Sequence, residues 1–123
     1  MANPNIVNVT SIVGNSLSVA VGTSATQLAS NAASSNKVFK INSIVVANID
    51  GTNAADITVN IYSAAALGGT PLAIVSTISV PADASLIVTD KTTTFYLLEN
   101  QSIGAIAGTA GDLVATISFE EIT

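Results

Sequence analysis

The sequence predicts an all-β chain folded as one antiparallel β-sandwich, jelly-roll or immunoglobulin-like, and three observations predict it. Apolar and polar residues alternate with a period of two in several segments, as strands with one buried face do. Turn-forming Gly, Pro, Asn and Asp recur at short intervals between these segments. Helix-forming Glu, Lys, Gln and Arg are scarce, and no long stretch keeps a 3.6-residue period. Short strands at this spacing, without helices between them, pack as two sheets face to face.

Taken in order, residues 1–5 are polar with a proline at Pro4 and form an N-terminal arm, either reaching a neighbour or frayed. The sandwich domain is residues 6–123. Its first two strands are predicted at Ile6–Val13 and Ser16–Gly22, because Gly14-Asn15 between them is a turn signal. Thr26–Ser30 follows, closed by the polar stretch Asn31 to Asn36. Lys37–Ile49 is long and has apolar residues on both faces, which suits a central strand or one lying against a neighbouring subunit. Asp50-Gly51-Thr52-Asn53 turns the chain into Ala55–Ser63. There Ile57, Val59 and Ile61 point one way and Thr58, Asn60 and Tyr62 the other. Ala64 to Gly69, rich in Ala and Gly, reads as a hairpin loop with at most one helical turn. Leu72–Val80, Ser85–Thr89, Thr94–Leu97, Ser102–Ala107 and Leu113–Ile122 complete the set. In the last, Leu113, Ala115, Ile117 and Phe119 share one face, so Ile57, Val59, Ile61, Ile117 and Phe119 are expected in the core.

Composition limits what such a domain can do. The 123 residues include no His, Cys or Trp, and the only cations are Lys37, Lys40 and Lys91. Charged residues make up 9% of the chain, against about a quarter in an ordinary soluble domain. Without His a serine nucleophile lacks its usual base. Without Cys there is neither a disulfide framework nor a thiolate metal site. Three lysines do not make a phosphate-binding surface, so no nucleic-acid partner is expected. No apolar run approaches the roughly 20 residues of a spanning helix, and Met1 to Ile6 lacks the features of a secretory signal, so no membrane role is expected. The two sequons, at Asn8 and Asn100, are chance matches in a chain rich in Asn, Ser and Thr.

The candidate motifs reduce to structural readings. Asp50, Asn53 and Asp56 offer oxygens three apart, but without the EF-hand register or its bidentate Glu they read as turn chemistry rather than a calcium loop. Ser34-Ser35-Asn36-Lys37 matches Ser-x-x-Lys without the accompanying elements of the enzymes that use it. Gly108 to Gly111 is glycine-rich but is followed by no Gly-Lys-Ser/Thr. Glu120 and Glu121 are adjacent on a strand, so they face opposite ways, as solubilising groups on an exposed C-terminal strand. Five scattered aromatics make no stacking platform. No enzyme activity, cofactor or metal is expected. Sheet edges without Lys or Pro need cover from neighbouring chains, so an oligomer or embedded subunit is expected. Val38, Ile44 and Val46, opposite Phe39, Ile41 and Val45, are the candidate subunit interface.

Ile78–Ser85, Phe95–Ile103 and Ile117–Ile122, together with Met1–Val9 and Val46–Ala55, resemble small virion structural proteins of tailed bacteriophages, notably those of marine cyanobacteria. The resemblance spans most of the chain. It implies a β-sandwich on the particle, assembled in the host cytoplasm and partnered by the major capsid protein or other virion proteins. The leading expectation is a capsid decoration or cement protein that stabilises the particle through contacts between subunits. The alternative is a tail, neck or fibre component binding a receptor or glycan. No catalytic or binding residue carries over.

Overall fold

The computed structural model describes residues 4–123. Its strands are β1 (Ile12–Ala20), β2 (Thr26–Asn31), β3 (Val38–Asn48), β4 (Ala55–Ala64), β5 (Gly68–Val80), β6 (Ser85–Thr89), β7 (Phe95–Leu97), β8 (Gln101–Ala107) and β9 (Leu113–Ile122). One sheet has the order β1-β9-β3-β6, with β7 also pairing β3; the other has the order β2-β8-β4-β5. All pairings are antiparallel. They nest: β1 with β9, β2 with β8, β3 with β6 and β4 with β5. The chain thus winds back and forth between the two sheets as a doubled ribbon, which is jelly-roll topology and decides between the two sandwich types expected.

The core is aliphatic and lies between the sheets. Phe39, Ile41, Ile44, Val46, Leu113, Ala115 and Ile117 line it from one side; Leu28, Ile57, Val59, Ile103, Ala105 and Ala107 line it from the other. The alanines of β8 and β9 leave room for the branched side chains opposite, so the two layers interdigitate. Ile57, Val59 and Ile117 are fully buried as the alternation requires, while Ile61 and Phe119 are half-buried at the margin of the core. Phe119 stacks on Phe39 with ring centroids 5.2 Å apart.

One residue sets the phase of this core. The pairing of β3 with β9 shifts between Ile41 and Ser43, which makes Asn42 the extra residue of a β-bulge. Before the bulge Phe39 and Ile41 face inward; after it Ile44 and Val46 do. Uninterrupted alternation would have placed these two pairs on opposite faces. The expected interface of Val38, Ile44 and Val46 is corrected for this reason. Ile44 and Val46 are 0% exposed inside the chain's own core, and Val38 is buried on the other face of β3 beside Pro4, Ile6, Tyr96 and Leu98. A similar shift at β2 between Gln27 and Ala29 leaves Leu28 and Ala29, adjacent in sequence, both buried.

The two strands expected on either side of Gly14-Asn15 are instead one. Nine consecutive residues of β1 pair with nine of β9, without a shift, and this ladder outweighs the local turn preference. Residues 6–8 and 10 are turn and bend. Of the proposed arm, residues 1–3 lie outside the described residues. The Asn5 carbonyl accepts from the Asn8 N–H at 3.1 Å, and its side chain accepts from the Val7 N–H at 2.9 Å. The C-terminal strand is not exposed as expected: β9 runs between β1 and β3. β5 begins at Gly68, four residues early, and so includes Pro71, which an edge strand tolerates.

Two buried asparagines fasten the loops. The Asn48 amide donates to the carbonyls of Asn53 and Val80, both at 2.9 Å, and its oxygen accepts from the Asp50 N–H at 2.9 Å. The Asn31 amide donates to the carbonyls of Lys37 (2.9 Å) and Leu97 (3.2 Å). Each joins segments far apart in sequence by bonding their backbone carbonyls. On the outer face of the second sheet the 64–69 hairpin folds back. The Leu67 N–H donates to Ser102 Oγ at 2.9 Å, and Ser102 Oγ donates to the Ala64 carbonyl at 2.7 Å. Gly104 permits this, because a Cβ there would stand 2.8 Å from Leu67 Cδ2 and 3.0 Å from Tyr62 Cε1.

If Asn42 acts through phase, its deletion and its substitution should differ sharply. Asn42→Ala should cost about 1 kcal/mol, the scale of one hydrogen bond. Deleting Asn42 should abolish the cooperative thermal transition, because half of β3 would then present the wrong face. Equal effects of the two changes in a melting experiment would refute this role.

Candidate functional site

The feature with most to say about function is a distribution rather than a pocket. The charged side chains sit on β3, β4 and β9 and in the loops. The strands that bound the sheets are β1, β6 and β7 on one and β2 and β5 on the other, and none contains an Asp, Glu, Lys or Arg. Free edges expose backbone donors and acceptors, and lysine is a common means of keeping other strands off them. Here the edges also present apolar side chains. Ile12, Val13 and Leu17 on β1, Leu72 and Ile78 on β5 and Ile87 on β6 are all exposed.

Lys37, Glu120, Glu121, Asp50 and Asp90 are engaged away from the edges. Lys37 Nζ donates to Glu121 Oε1 at 3.0 Å, and the same carboxylate accepts from the Asn15 amide. This ties β1 to β9 and to the start of β3. Lys37 is 42% exposed, so the pair contributes little to stability. Glu120, on the other face, accepts from the Asn42 amide at 3.1 Å and so holds the bulge. Asp50 accepts the Thr52 backbone N–H at 2.8 Å and, more weakly, the Asn53 amide; these bonds hold its carboxyl below the usual value. Asp90 is lowered likewise by the Thr92 hydroxyl and then by the Thr92 N–H. A carboxyl lowered in the fold adds stability above the unfolded carboxylate range, and this is lost as pH falls through the lowered folded value, so both loops loosen only in acid.

The sequence motifs come together in no chemical site. Ser35 Oγ donates to Asn31 Oδ1 at 2.5 Å, while the Lys37 ammonium is drawn away to Glu121. Asp50 and Asn53 lie in one loop, where the Asp50 oxygens serve the turn, while Asp56 stands on β4. Among the described residues no group of three or more His, Cys, Asp or Glu is placed to hold a metal ion, and no helix is long and apolar enough to cross a membrane. A concavity of about 520 Å³ opens on the outer face of the first sheet, lined by Lys40, Asn42, Ser43, Lys91, Thr94, Ser118 and Glu120. It has no aromatic wall, and its lysines share it with a carboxylate. The sequence implied edges in need of cover, but its most apolar segment, taken as the contact, is β3, a central strand. The missed signal was the lack of charge in the segments that became edges.

No protein-family model matches the chain, and no curated protein matches it. Among solved structures, a chain from Bacillus endospore appendages, described as a novel family of disulfide-linked pili, aligns with a TM-score of 0.49 at 18% identity. The alignment covers 99% of this chain and 92% of that one.

Lysine placed on the exposed apolar positions of the edges should leave the fold intact while altering association. Leu72→Lys and Ile87→Lys should each shift unfolding free energy by no more than about 0.5 kcal/mol. Both should lower light scattering of concentrated solutions. A loss of several kcal/mol in chemical denaturation would mean that these side chains pack internally after all.

Proposed function

We propose that the chain is an adhesive structural subunit of a phage virion, foremost a capsid decoration or cement protein working as an oligomer. The observation that carries this reading is the absence of charged residues from every edge strand among the described residues. A free monomer with such edges is prone to pair with other chains. A subunit whose edges are covered in its assembly has no such difficulty. The sequence resemblance to small phage virion proteins supports the same reading. So does a chemistry of Ser, Thr, Asn and aliphatic groups, suited to contact rather than reaction.

The mechanism is mechanical. Each copy would bridge neighbouring capsid subunits through apolar and backbone contacts, and a stable contact covers roughly 800 Å² per partner. Many copies acting together raise the barrier to rupture more than one contact does, because each bound copy holds its neighbours in place. The partners would be the major capsid protein or other virion proteins, and further copies of the chain. The virion is the location this reading assigns.

Quantitative mass spectrometry of purified particles tests it. Decoration predicts hundreds of copies per particle and re-binding of the purified chain to capsids stripped of it. A handful of copies would transfer the reading to a tail, neck or fibre component. Absence from particles together with failure to bind any virion protein would overturn it.

A further inference from the structure

We infer that β1 is a self-complementary docking edge, on which β1 of a second copy pairs antiparallel about a two-fold axis at Ser16. The inference rests on the adhesive reading and narrows it to one strand and one partner.

Hydrogen bonds at its two ends fix the phase of β1. Next to its start, the Thr123 N–H donates to the Ser11 carbonyl at 2.9 Å and the Ser11 N–H donates to the Thr123 carbonyl at 3.3 Å. Just past its end, the Val21 N–H donates to the Leu113 carbonyl at 2.9 Å. Antiparallel pairs alternate between those that exchange bonds and those that do not. Val13, Asn15, Leu17 and Val19 therefore turn their backbone groups to β9. Ile12, Gly14, Ser16, Ser18 and Ala20 turn theirs outward, where no strand among the described residues lies.

β1 is also the most regular of the edges. β5 is interrupted by Pro71, by Thr77 at a φ of 50° and by three register shifts against β4. β2 and the β3–β6 pairing each contain a shift, and β7 has only three residues. Bulges, prolines and shortness all blunt an edge. Among the described residues β1 alone presents nine consecutive residues with no shift, no proline and no charge. Of the edges this chain possesses, the one that matches β1 in length and regularity is β1 itself.

The order of its side chains also suits pairing about Ser16. Counting outward from Ser16, the strand reads Asn15 and Leu17, then Gly14 and Ser18, then Val13 and Val19, then Ile12 and Ala20. Val13 and Val19 are identical, Gly14 and Ser18 are both small, and Ile12 and Ala20 are both apolar though unequal in size. Antiparallel pairing about Ser16 sets Val13 of each copy opposite Val19 of the other, Gly14 opposite Ser18 and Ile12 opposite Ala20. It also sets outward-facing residues opposite outward-facing residues, the only parity in which their backbone groups can bond. The contact covers Ile12, Val13 and Leu17, which are 55%, 52% and 41% exposed in the single chain. Such an isologous contact closes at two copies and joins two sheets into one.

Ser16 gives a direct test, because its exposed side chain lies opposite Ser118, away from the core. On the two-fold axis a charge at this position meets itself, and like charges directly opposite are repulsive. In sedimentation the native chain should dimerise. Ser16→Lys and Ser16→Glu should each weaken the dimer at least about tenfold while keeping the native thermal transition, and an equimolar mixture should restore it as a heterodimer. Ser16→Pro, which removes only an outward N–H, should also give a folded monomer. A native chain that stays monomeric at every concentration overturns the inference. So does an oligomer that all three substitutions leave intact. In either case the adhesive reading stands or falls separately, on the copy number in particles.

Discussion

The fold depends on one extra residue in a central strand. β3 pairs with β9, β6 and β7, and it supplies more of the core than any other strand. Strict alternation along it would send either Phe39 and Ile41 or Ile44 and Val46 away from the opposing sheet. The bulge at Asn42 puts all four inside, and the bond from its amide to Glu120 holds the irregularity in register with β9. Around that phase the remaining layers follow. β9 aligns Ile117 and Phe119 with β3, and β8 aligns Ile103 and Ala105 with β4. Asn31 and Asn48 then close the loops by satisfying their backbone groups.

With the interior settled in this way, several of the charged groups are engaged within the chain. Lys37, Glu120 and Glu121 brace the β1–β9–β3 side, and Asp50 and Asp90 order their own turns. What remains for contact with other molecules is the periphery: backbone edges flanked by Ser, Thr, Ala and aliphatic residues. An edge without charge gains little by facing water and more by pairing with another strand. That contrast between a braced interior and an unguarded rim is the physical content of the proposed structural role.

Much of the architecture was legible in the sequence. Ser85–Thr89 and Leu113–Ile122 were bounded to the residue, and the alternation at Ile57 and Val59 identified their buried face correctly. These segments are amphipathic with a single phase, so periodicity alone places them. β3 is apolar on both sides, and a bulge inside it leaves no mark when the extra residue is an asparagine, which reads as one more polar position. The interface assigned to Val38, Ile44 and Val46 failed at that point. Gly14-Asn15 misled for the opposite reason: a strong local turn signal was overridden by a nine-residue ladder formed with a strand about a hundred residues away in sequence. The lack of charge indicated that edges would need partners. Which strands would be edges depended on the winding of the chain, which local pattern does not encode.

Residue-resolved amide hydrogen exchange along β1 tests the account most directly, comparing the chain at low concentration with its assembled state. The amides of Val13, Asn15, Leu17 and Val19, turned to β9, should be protected in both. Those of Ile12, Gly14, Ser16, Ser18 and Ala20 should exchange freely in the dilute chain and become protected on assembly. Free exchange of the second set in both states would show that the rim is never covered, and would contradict the claim that this protein works by closing its edges against other chains.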